Sequence, residues 1–458
     1  MGKGLSETGF GNIQYQEKTR RKEMKKLVAI IVVIAMAAAA FTACAETTAP
    51  ESSADTSVGQ ATQEATEPTA EGSQAAPAEG GVTERLNAMA AEYGWQQPFW
   101  YEEPSENTLK MAESALDGSV LNFGPNGEEA VLGSDFAAAV TEDQKNQIEA
   151  LDGMTAALCM RWTGSFWPNQ QVAGITDTLE SYGIEVIATT DANSDDVTQI
   201  SNIEAAIAME PDLLFIHPTN EATLTDVCKK AVDAGIKIVF MDQAVDGLEA
   251  GTDYVTTVTC DNLLNGMRHA DIVAQSLEGK AEKNVGILYY APQFTATNDR
   301  YEGFVTRMAA KYPDVNIVAI APFEDALDTE ASAAALLTAH PEINAIYTEW
   351  DEPAIGIISA ARAAGLSSED LAIGTDLMSD EVVLDLAQGG YVKGISTQDP
   401  YQQGVAEATA GVLALIGADV PVFIEVVPTI VTRDNLADTY EAVCGEPLFA
   451  EAAEALKQ

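Results

Sequence analysis

Short apolar and β-branched runs alternate with longer stretches of helical periodicity after residue 152. Ten runs predict strands, at 155–160, 185–190, 213–218, 237–242, 254–260, 285–290, 315–320, 345–350, 371–376 and 392–398. Continuous apolar strands separated by helices are typical of parallel sheets that are covered on both faces. Because ten strands are more than one sheet comfortably holds, the pattern predicts an α/β protein with two doubly wound parallel-sheet lobes.

Polar or aromatic residues stand at the ends of five predicted strands. They are His217, Asp242, Trp350, Asp376 and Gln398. Ligands of open parallel sheets bind outside the carboxyl ends of the strands. Any one of these residues is also explained as a turn or capping residue, but their convergence on one edge favours a binding site.

The first residues have the pattern of an export signal. Lys25 and Lys26 precede an apolar run at 27–40, and Phe41-Thr42-Ala43-Cys44 follows it. The run is shorter than the roughly 20 residues that cross a bilayer, so a signal peptide is favoured over a transmembrane helix. Residues 1–43 are thus interpreted as upstream residues followed by the signal peptide. The last four residues resemble the lipobox of bacterial lipoproteins, with Phe41 in place of the usual Leu. This resemblance implies lipidation of Cys44 and anchoring on the outer face of the cell membrane.

Two segments separate this signal from the regular pattern. Residues 44–81 are mostly Ala, Thr, Ser, Glu, Gln, Gly and Pro, which predicts a disordered tether. Residues 82–152, called here the N-terminal extension, contain a helical stretch near 83–93 and the aromatic residues Trp95, Trp100 and Tyr101. We interpret these aromatic residues as packing anchors. The pattern assigns no function to the extension.

The charge of the chain limits its partners. The 458 residues include 24 Lys and Arg against 71 Asp and Glu, a formal net charge of −47. Such a surface repels phosphate backbones, so no nucleic-acid partner is predicted, and self-repulsion favours a monomer. The sequence has no P-loop, nucleophile elbow or zinc-protease motif, and its histidines and cysteines lack metal-ligand spacing. We therefore predict no enzymatic activity, no cofactor and no metal.

A series of short motifs runs in order from about residue 155 to 433. They are Ser165-Phe166-Trp167, His217-Pro218-Thr219-Asn220, Phe240-Met241-Asp242, Asp261-Asn262 with Gly266, the segments 297–304 and 350–356, Gly374-Thr375-Asp376, and Gln398-Asp399-Pro400-Tyr401. In order and spacing they resemble the type I periplasmic sugar-binding proteins, the ribose-, galactose- and arabinose-binding group of ABC transporter receptors. The resemblance implies three crossovers between the lobes, near 260–261, 398–399 and 428. The N-terminal lobe would hold 153–260 plus 399–428, and the C-terminal lobe 261–398 plus 429–458.

The resemblance also implies a sugar or polyol site in the cleft between the lobes. Phe166 and Trp167 match positions that stack on a sugar ring, and Asp242 and Asp376 would accept hydrogen bonds from hydroxyls. Arg300 would donate and offset the two carboxylates, while Gln398 would donate and accept at once. His217 and Trp350 complete the predicted set, each at a position where the family pattern has Asn. Gln243 replaces an Arg of the ribose-binding pattern, so ribose itself is not predicted.

The predicted function is ligand capture by hinge closure and delivery to an ABC permease in the membrane. One alternative is a sensory binding protein that presents its ligand to a membrane kinase or chemoreceptor. A second is an exported glycan-active enzyme that uses Asp242 and Asp376, although Arg300 nearby disfavours the raised pKa that its acid needs. A third, a transcription regulator, is disfavoured by the export signal and by the lack of a basic N-terminal helix-turn-helix.

Overall fold

Two β-sheets organise the part of the chain that the computed structural model describes, residues 81–124 and 127–458. The strands of the first sheet are β1 (Val131–Leu132), β2 (Thr155–Met160), β3 (Glu185–Asp191), β4 (Leu213–Ile216), β5 (Lys237–Met241), β6 (Thr256–Cys260) and β12 (Phe423–Val426). Their spatial order is β1-β12-β6-β5-β4-β2-β3, and every pair is parallel.

The second sheet is also parallel except at one edge. Its strands are β7 (Asn284–Tyr290), β8 (Asn316–Phe323), β9 (Ala345–Thr348), β10 (Ala372–Thr375), β11 (Val392–Thr397) and β13 (Thr429–Val431). Their order is β13-β11-β10-β9-β7-β8, with β13 antiparallel to β11.

Helices follow most strands and cover the sheets. Those of the N-terminal extension are α1 (Val82–Tyr93), α2 (Glu106–Glu113), α3 (Gly133–Ala138) and α4 (Glu142–Glu149). Those of the first lobe are α5 (Phe166–Ser181), α6 (Asp196–Ile207), α7 (Thr225–Asp233) and α13 (Pro400–Leu415). Those of the second lobe are α8 (Asn262–Ser276), α9 (Thr295–Lys311), α10 (Thr329–Ala339), α11 (Asp351–Ala363), α12 (Asp380–Ala387), α14 (Leu436–Cys444) and α15 (Ala450–Ala455).

Each sheet has an apolar layer on both faces. In the first lobe, one layer contains Ile175 and Leu213 and the opposite layer contains Ile203 and Phe240. Central strands such as β4 and β9 are buried along their whole length. Strands that are covered on both faces need apolar residues at successive positions, which explains why their sequences are continuous apolar runs. The predicted fold class, two doubly wound lobes, is confirmed.

The chain crosses between the two sheets at three points. It leaves β6 at Cys260 to begin α8, returns from β11 through Asp399 into α13, and passes from β12 to β13 through Pro428. All ten predicted strands are present, but β1, β12 and β13 were not predicted. These three strands have two to four residues each. β1 and β13 are edge strands, and β12 lies beside β1.

The N-terminal extension makes a further crossing. Its α1 and α2 pack against α9 of the second lobe, and Leu116 accepts a hydrogen bond of 2.7 Å from Arg268 Nη2. Past residue 130 it joins the first lobe, where β1 pairs with β12 and α3 packs on α13. The predicted packing anchors lie against the second lobe, with Trp95 Nε1 donating to the Ile317 carbonyl at 2.7 Å. The extension therefore links the two lobes a fourth time.

Several sequence-based predictions fall outside the described residues. The signal peptide, Cys44 and the tether as far as residue 80 are among them. Within the described ranges, no helix combines the length and the apolar character needed to cross a membrane. The four cysteines of this part of the chain are free thiols, of which Cys159, Cys228 and Cys260 are buried.

Candidate functional site

A cavity of about 660 Å³ lies between the two lobes, where the carboxyl ends of both sheets face each other. Residues that follow β2, β5, β7, β9 and β11 line it, as expected for ligand sites of parallel sheets. Six of the predicted ligand residues are in this lining: Phe166, Trp167, Asp242, Arg300, Trp350 and Gln398. His217 and Asp376 are fully buried and lie behind it.

The first-lobe wall is aromatic. The rings of Trp162 and Trp167 stack with centroids 5.7 Å apart and planes inclined by 26°. Trp162 Nε1 donates to Ser165 Oγ at 3.0 Å, and Trp167 Nε1 donates to Gln398 Oε1 at 3.1 Å. Because α5 begins at Phe166, the turn before the helix brings these rings to the sheet edge. Both indoles are thus held in fixed orientations, which suits them to stack on a flat ligand.

His217 supports this wall from behind. Its ring lies 4.9 Å from the ring of Trp162 and 5.1 Å from that of Trp167. Burial, and secondarily the positive charge of Arg161, hold the pKa of His217 well below its usual value. The neutral imidazole is 3.8 Å from Asp242 Oδ2 and is not itself part of the cavity lining.

The second-lobe wall is also aromatic. Trp350 meets the ring of Tyr290 edge-on at 5.3 Å, and Phe323 packs 5.1 Å from Trp350. The guanidinium of Arg161 reaches across the cleft to within 4.2 Å of the ring of Phe294. Such a cation–π contact connects the two lobes at the cavity.

Arg300 is a fixed cation of the site. Its Nε donates to Asn262 Oδ1 at 2.8 Å, and its Nη1 donates to the Glu349 carbonyl at 2.9 Å and lies 3.4 Å from Asp376 Oδ2. Burial lowers the pKa of Arg300, but nearby acidic groups, Asp376 foremost, raise it above its usual value. The guanidinium is therefore charged and immobile, with remaining donor capacity toward the cavity.

Asp376 acts on the cavity through its neighbours. Its carboxylate accepts hydrogen bonds from Asn265 Nδ2 at 3.0 Å and Gln398 Nε2 at 2.8 Å, and from the Gln398 backbone N–H at 3.1 Å. Gln398 in turn accepts from Trp167. The amide of Gln398 is thus already hydrogen-bonded to Asp376 and Trp167. Asp376 holds both Gln398 and Arg300 in position.

Asp242 is the carboxylate that faces the cavity. Its backbone has φ of 62°, a left-handed conformation that Asp adopts more readily than most residues. Its Oδ1 accepts from Thr259 Oγ1 at 3.3 Å and Gln403 Nε2 at 3.2 Å. Burial raises the pKa of Asp242 to about 6, against the opposing effect of Arg300 and these hydrogen bonds. Oδ2 remains available to a ligand donor.

Two further acids lie next to this site. Burial raises the pKa of Glu349 to about 8 and that of Asp351 to about 7. Glu349 Oε2 accepts from the Tyr290 N–H at 2.6 Å, and Asp351 Oδ2 accepts from the Ser379 N–H at 3.2 Å. Burial thus favours the neutral form of both acids.

Sequence reasoning missed four of the aromatic and cationic lining residues. They are Arg161, Trp162, Tyr290 and Phe294. Arg161 and Trp162 directly follow β2, and Tyr290 is the last residue of β7. The strand-end rule that pointed to Asp242 would therefore have found these three. Phe294 precedes α9 on a turn, which no pattern in the sequence marks.

The fold and the cleft define a two-lobed α/β protein with an aromatic, charged site between its lobes. Residues 156–419 match the family model described as "Periplasmic binding protein domain". This chain belongs to that family, and the resemblance read from the motifs is confirmed.

Two bacterial relatives extend this result. The chain is 30% identical over 215 residues to the D-ribose/D-allose-binding protein of Pseudomonas aeruginosa, which covers 46% of this chain and 66% of that protein. It is 28% identical over 188 residues to the ribose import binding protein of Escherichia coli, covering 41% of this chain and 60% of the relative. The matches thus span less than two thirds of these relatives.

Solved structures agree in fold. A carbohydrate transporter solute-binding protein from Agrobacterium radiobacter in complex with D-arabinose aligns with a TM-score of 0.57 at 25% identity. The alignment covers 64% of this chain and 99% of that one. A myo-inositol-binding protein of Caulobacter aligns with a TM-score of 0.55 at 21% identity, over 62% of this chain and 95% of that one.

Proposed function

We propose that this chain is an exported solute-binding lipoprotein that closes its two lobes around a sugar or related polyol and presents it to an ABC permease. The observation that carries the proposal is the pairing of aromatic walls from both lobes with the Asp242 carboxylate and the Arg300 guanidinium. A sugar has apolar C–H faces and hydroxyls at its rim, which match aromatic faces and polar groups of both kinds. No bond is made or broken in this function.

The relatives support the class of ligand. Proteins named for ribose, allose and galactofuranose are among those that the chain resembles in sequence. Trp350 and Tyr290 give the second-lobe side of the cleft an aromatic surface, which suits a flat, compact ligand such as a monosaccharide or cyclitol. The proposed site residues are Phe166, Trp167, Asp242, Arg300, Trp350 and Gln398 in the lining, with His217 and Asp376 behind them.

Ligand binding is tested by thermal-shift screening of the protein without residues 1–44 against pentoses, hexoses and cyclitols. A ligand that binds only the folded state raises the melting temperature. We expect one sugar or polyol to give a shift that Trp167→Ala abolishes. Lys230→Gln, which alters an exposed ion pair, should keep the shift. If no carbohydrate shifts a cooperatively unfolding sample, the sugar site is refuted.

Anchoring is tested separately in cells. Cys44 would carry the lipid, so the wild-type protein should sediment with membranes. Cys44→Ser should be released into the soluble extracytoplasmic fraction, with unchanged carbohydrate binding. Equal membrane association of both forms would contradict lipidation at Cys44 and leave the sugar-binding proposal intact.

A further inference from the structure

A second cavity of about 440 Å³ lies behind the ligand cleft, and we call it the hinge cavity. Its walls come from the N-terminal extension (Glu102, Asn122), the first lobe (Gln243) and the second lobe (Asp299). Asp242 lines both the hinge cavity and the ligand cleft. The hinge cavity is therefore bounded by the extension and by both lobes, whose relative positions change when the hinge moves.

Acidic side chains dominate the hinge cavity. No Lys, Arg or His is among the described residues of its lining. Eight carboxylates line it: Glu102, Glu103, Glu221, Asp242, Asp246, Asp299, Glu302 and Glu425. A cluster of like charges in a partly buried space is destabilising unless protons or a cation neutralise it.

Glu425 points into this space without a partner for one of its oxygens. Successive residues of a strand point to opposite faces of the sheet. Glu425 and Phe423 therefore share the face of β12 that lines the cavity, whereas Ile424 points into an apolar core on the other face. The residue is 1% exposed, and no described donor reaches Oε2. Burial, and then the charges of Asp261 and Asp299, raise the pKa of Glu425 well above its usual value.

Gln243 supplies a second unsatisfied acceptor. Its side chain is 5% exposed, its Nε2 donates to the Pro218 carbonyl at 3.4 Å, and its Oε1 has no donor among the described residues. Buried polar atoms are rarely left without a partner. Two such acceptors in the wall of one cavity indicate that a donor belongs there.

The geometry distinguishes between classes of donor. Within the described residues, no three His, Cys, Asp or Glu side chains are arranged to hold a metal ion. A primary ammonium carries three N–H donors and a full charge, and it tolerates a looser set of oxygens than a metal does. The volume of the cavity also exceeds what a single ion needs and falls in the range of small-ligand pockets.

We propose that the hinge cavity binds a small organic cation with primary ammonium groups, of the diamine or polyamine class. One ammonium is held by Glu425 Oε2 and Gln243 Oε1, and the rim carboxylates of Glu102 and Glu302 receive the other. Because both lobes and the extension form the walls, a bound cation favours the arrangement in which they lie close together. Occupancy is thereby coupled to the ligand cleft, with which the cavity shares Asp242.

The test is calorimetric titration of the purified protein with putrescine and spermidine at constant ionic strength, without carbohydrate. We expect saturable binding in the wild type and roughly tenfold or greater weakening in Glu425→Gln and in Glu302→Gln, since each removes a charged acceptor. Glu142→Gln makes the same charge change at an exposed helix position and should bind like the wild type. Glu425→Gln keeps the size of the side chain and removes repulsion, so it is expected to unfold cooperatively at or above the wild-type temperature.

Three outcomes would overturn the proposal. The first is no saturable binding of either amine by the wild type. The second is equal affinity in Glu425→Gln and the wild type. The third is Ca²⁺ or Mg²⁺ binding that Glu425→Gln abolishes while amines do not bind, which would assign a metal to the cavity. None of these results bears on carbohydrate binding, so the failure of one proposal is distinguishable from failure of the other.

Discussion

Asp242 combines three properties in one side chain. It faces the ligand cleft, it has a left-handed backbone, and burial raises its pKa to about 6. A carboxylate accepts two hydrogen bonds well only when it is ionised. The function proposed for this cleft therefore depends on a group that is close to protonation at mildly acidic pH.

We expect carbohydrate affinity to fall as the pH falls through about 6, because Asp242 becomes protonated there. The folded-state pKa is above the unfolded value, so ionisation of Asp242 destabilises the unliganded fold, and its stability contribution is lost as pH rises through about 6. Asp242→Asn should thus raise the melting temperature of the free protein at pH 7 and abolish most binding. Asn also tolerates the left-handed backbone.

Calorimetry from about pH 5 to 8 measures how carbohydrate affinity depends on pH. Thermal unfolding of the free protein over the same range measures how its stability depends on pH. The two acids with pKa values of about 7 and 8, Asp351 and Glu349, titrate in the same range, so the wild-type profile alone is insufficient. The informative comparison is with Asp242→Asn, in which the weak remaining carbohydrate affinity should show no decline near pH 6. An unchanged decline in that variant would exclude Asp242 as its cause.

At the scale of elements, the N-terminal extension supplies parts that the second lobe lacks. The last carbonyls of a helix have no intrahelical partner. At the end of α9, Arg85 fills this role by donating to the carbonyls of Ala309 and Tyr312 at 2.7 Å each and to Val315 at 3.0 Å. The extension thus caps a helix of the ligand-binding lobe and belongs to its structure.

Arg85→Met should destabilise the protein by about 1–3 kcal/mol, because it leaves partly buried carbonyls without donors while keeping the length of the side chain. Denaturant unfolding measures the loss, and hydrogen exchange should show faster opening at the carboxyl end of α9. Arg362→Met is the control, since its guanidinium is largely exposed and bonds Asp385 at 3.3 Å. Equal losses in the two variants would argue against the capping role.

The elements also show where sequence reasoning ends. Ten strands were predicted because strands covered on both faces require continuous apolar residues, as in the run 213–216. β1 has two residues, and its pairing with β12 joins positions 131 and 424, nearly 300 residues apart. No local pattern specifies such a contact. Local sequence also does not specify that Phe294 lines the site or that Asp376 is buried behind Gln398, because both depend on how the lobes meet.

At the scale of the molecule, polar contacts away from the crossovers also join the two lobes. Arg161 of the first lobe lies on Phe294 of the second, and Thr295 Oγ1 donates to Glu221 Oε1 at 2.8 Å. Contacts of this kind exist only when the cleft is closed. Their free energy therefore adds to that of the ligand in setting the fraction of closed protein.

Thr295→Val tests this closure argument, because it removes the hydroxyl and keeps the shape of the side chain. A hydrogen bond to a charged acceptor contributes about 1.5–3 kcal/mol, so the carbohydrate Kd should rise roughly tenfold or more, mainly through faster dissociation. Stopped-flow binding gives the rates, and small-angle scattering of the free variant should report a larger radius of gyration. Thr338→Val, which loses only a bond to its own helix, should leave both unchanged. If Thr295→Val altered stability but neither dissociation nor dimensions, the Glu221 contact would be local packing, and closure would rest on the ligand and the aromatic walls alone.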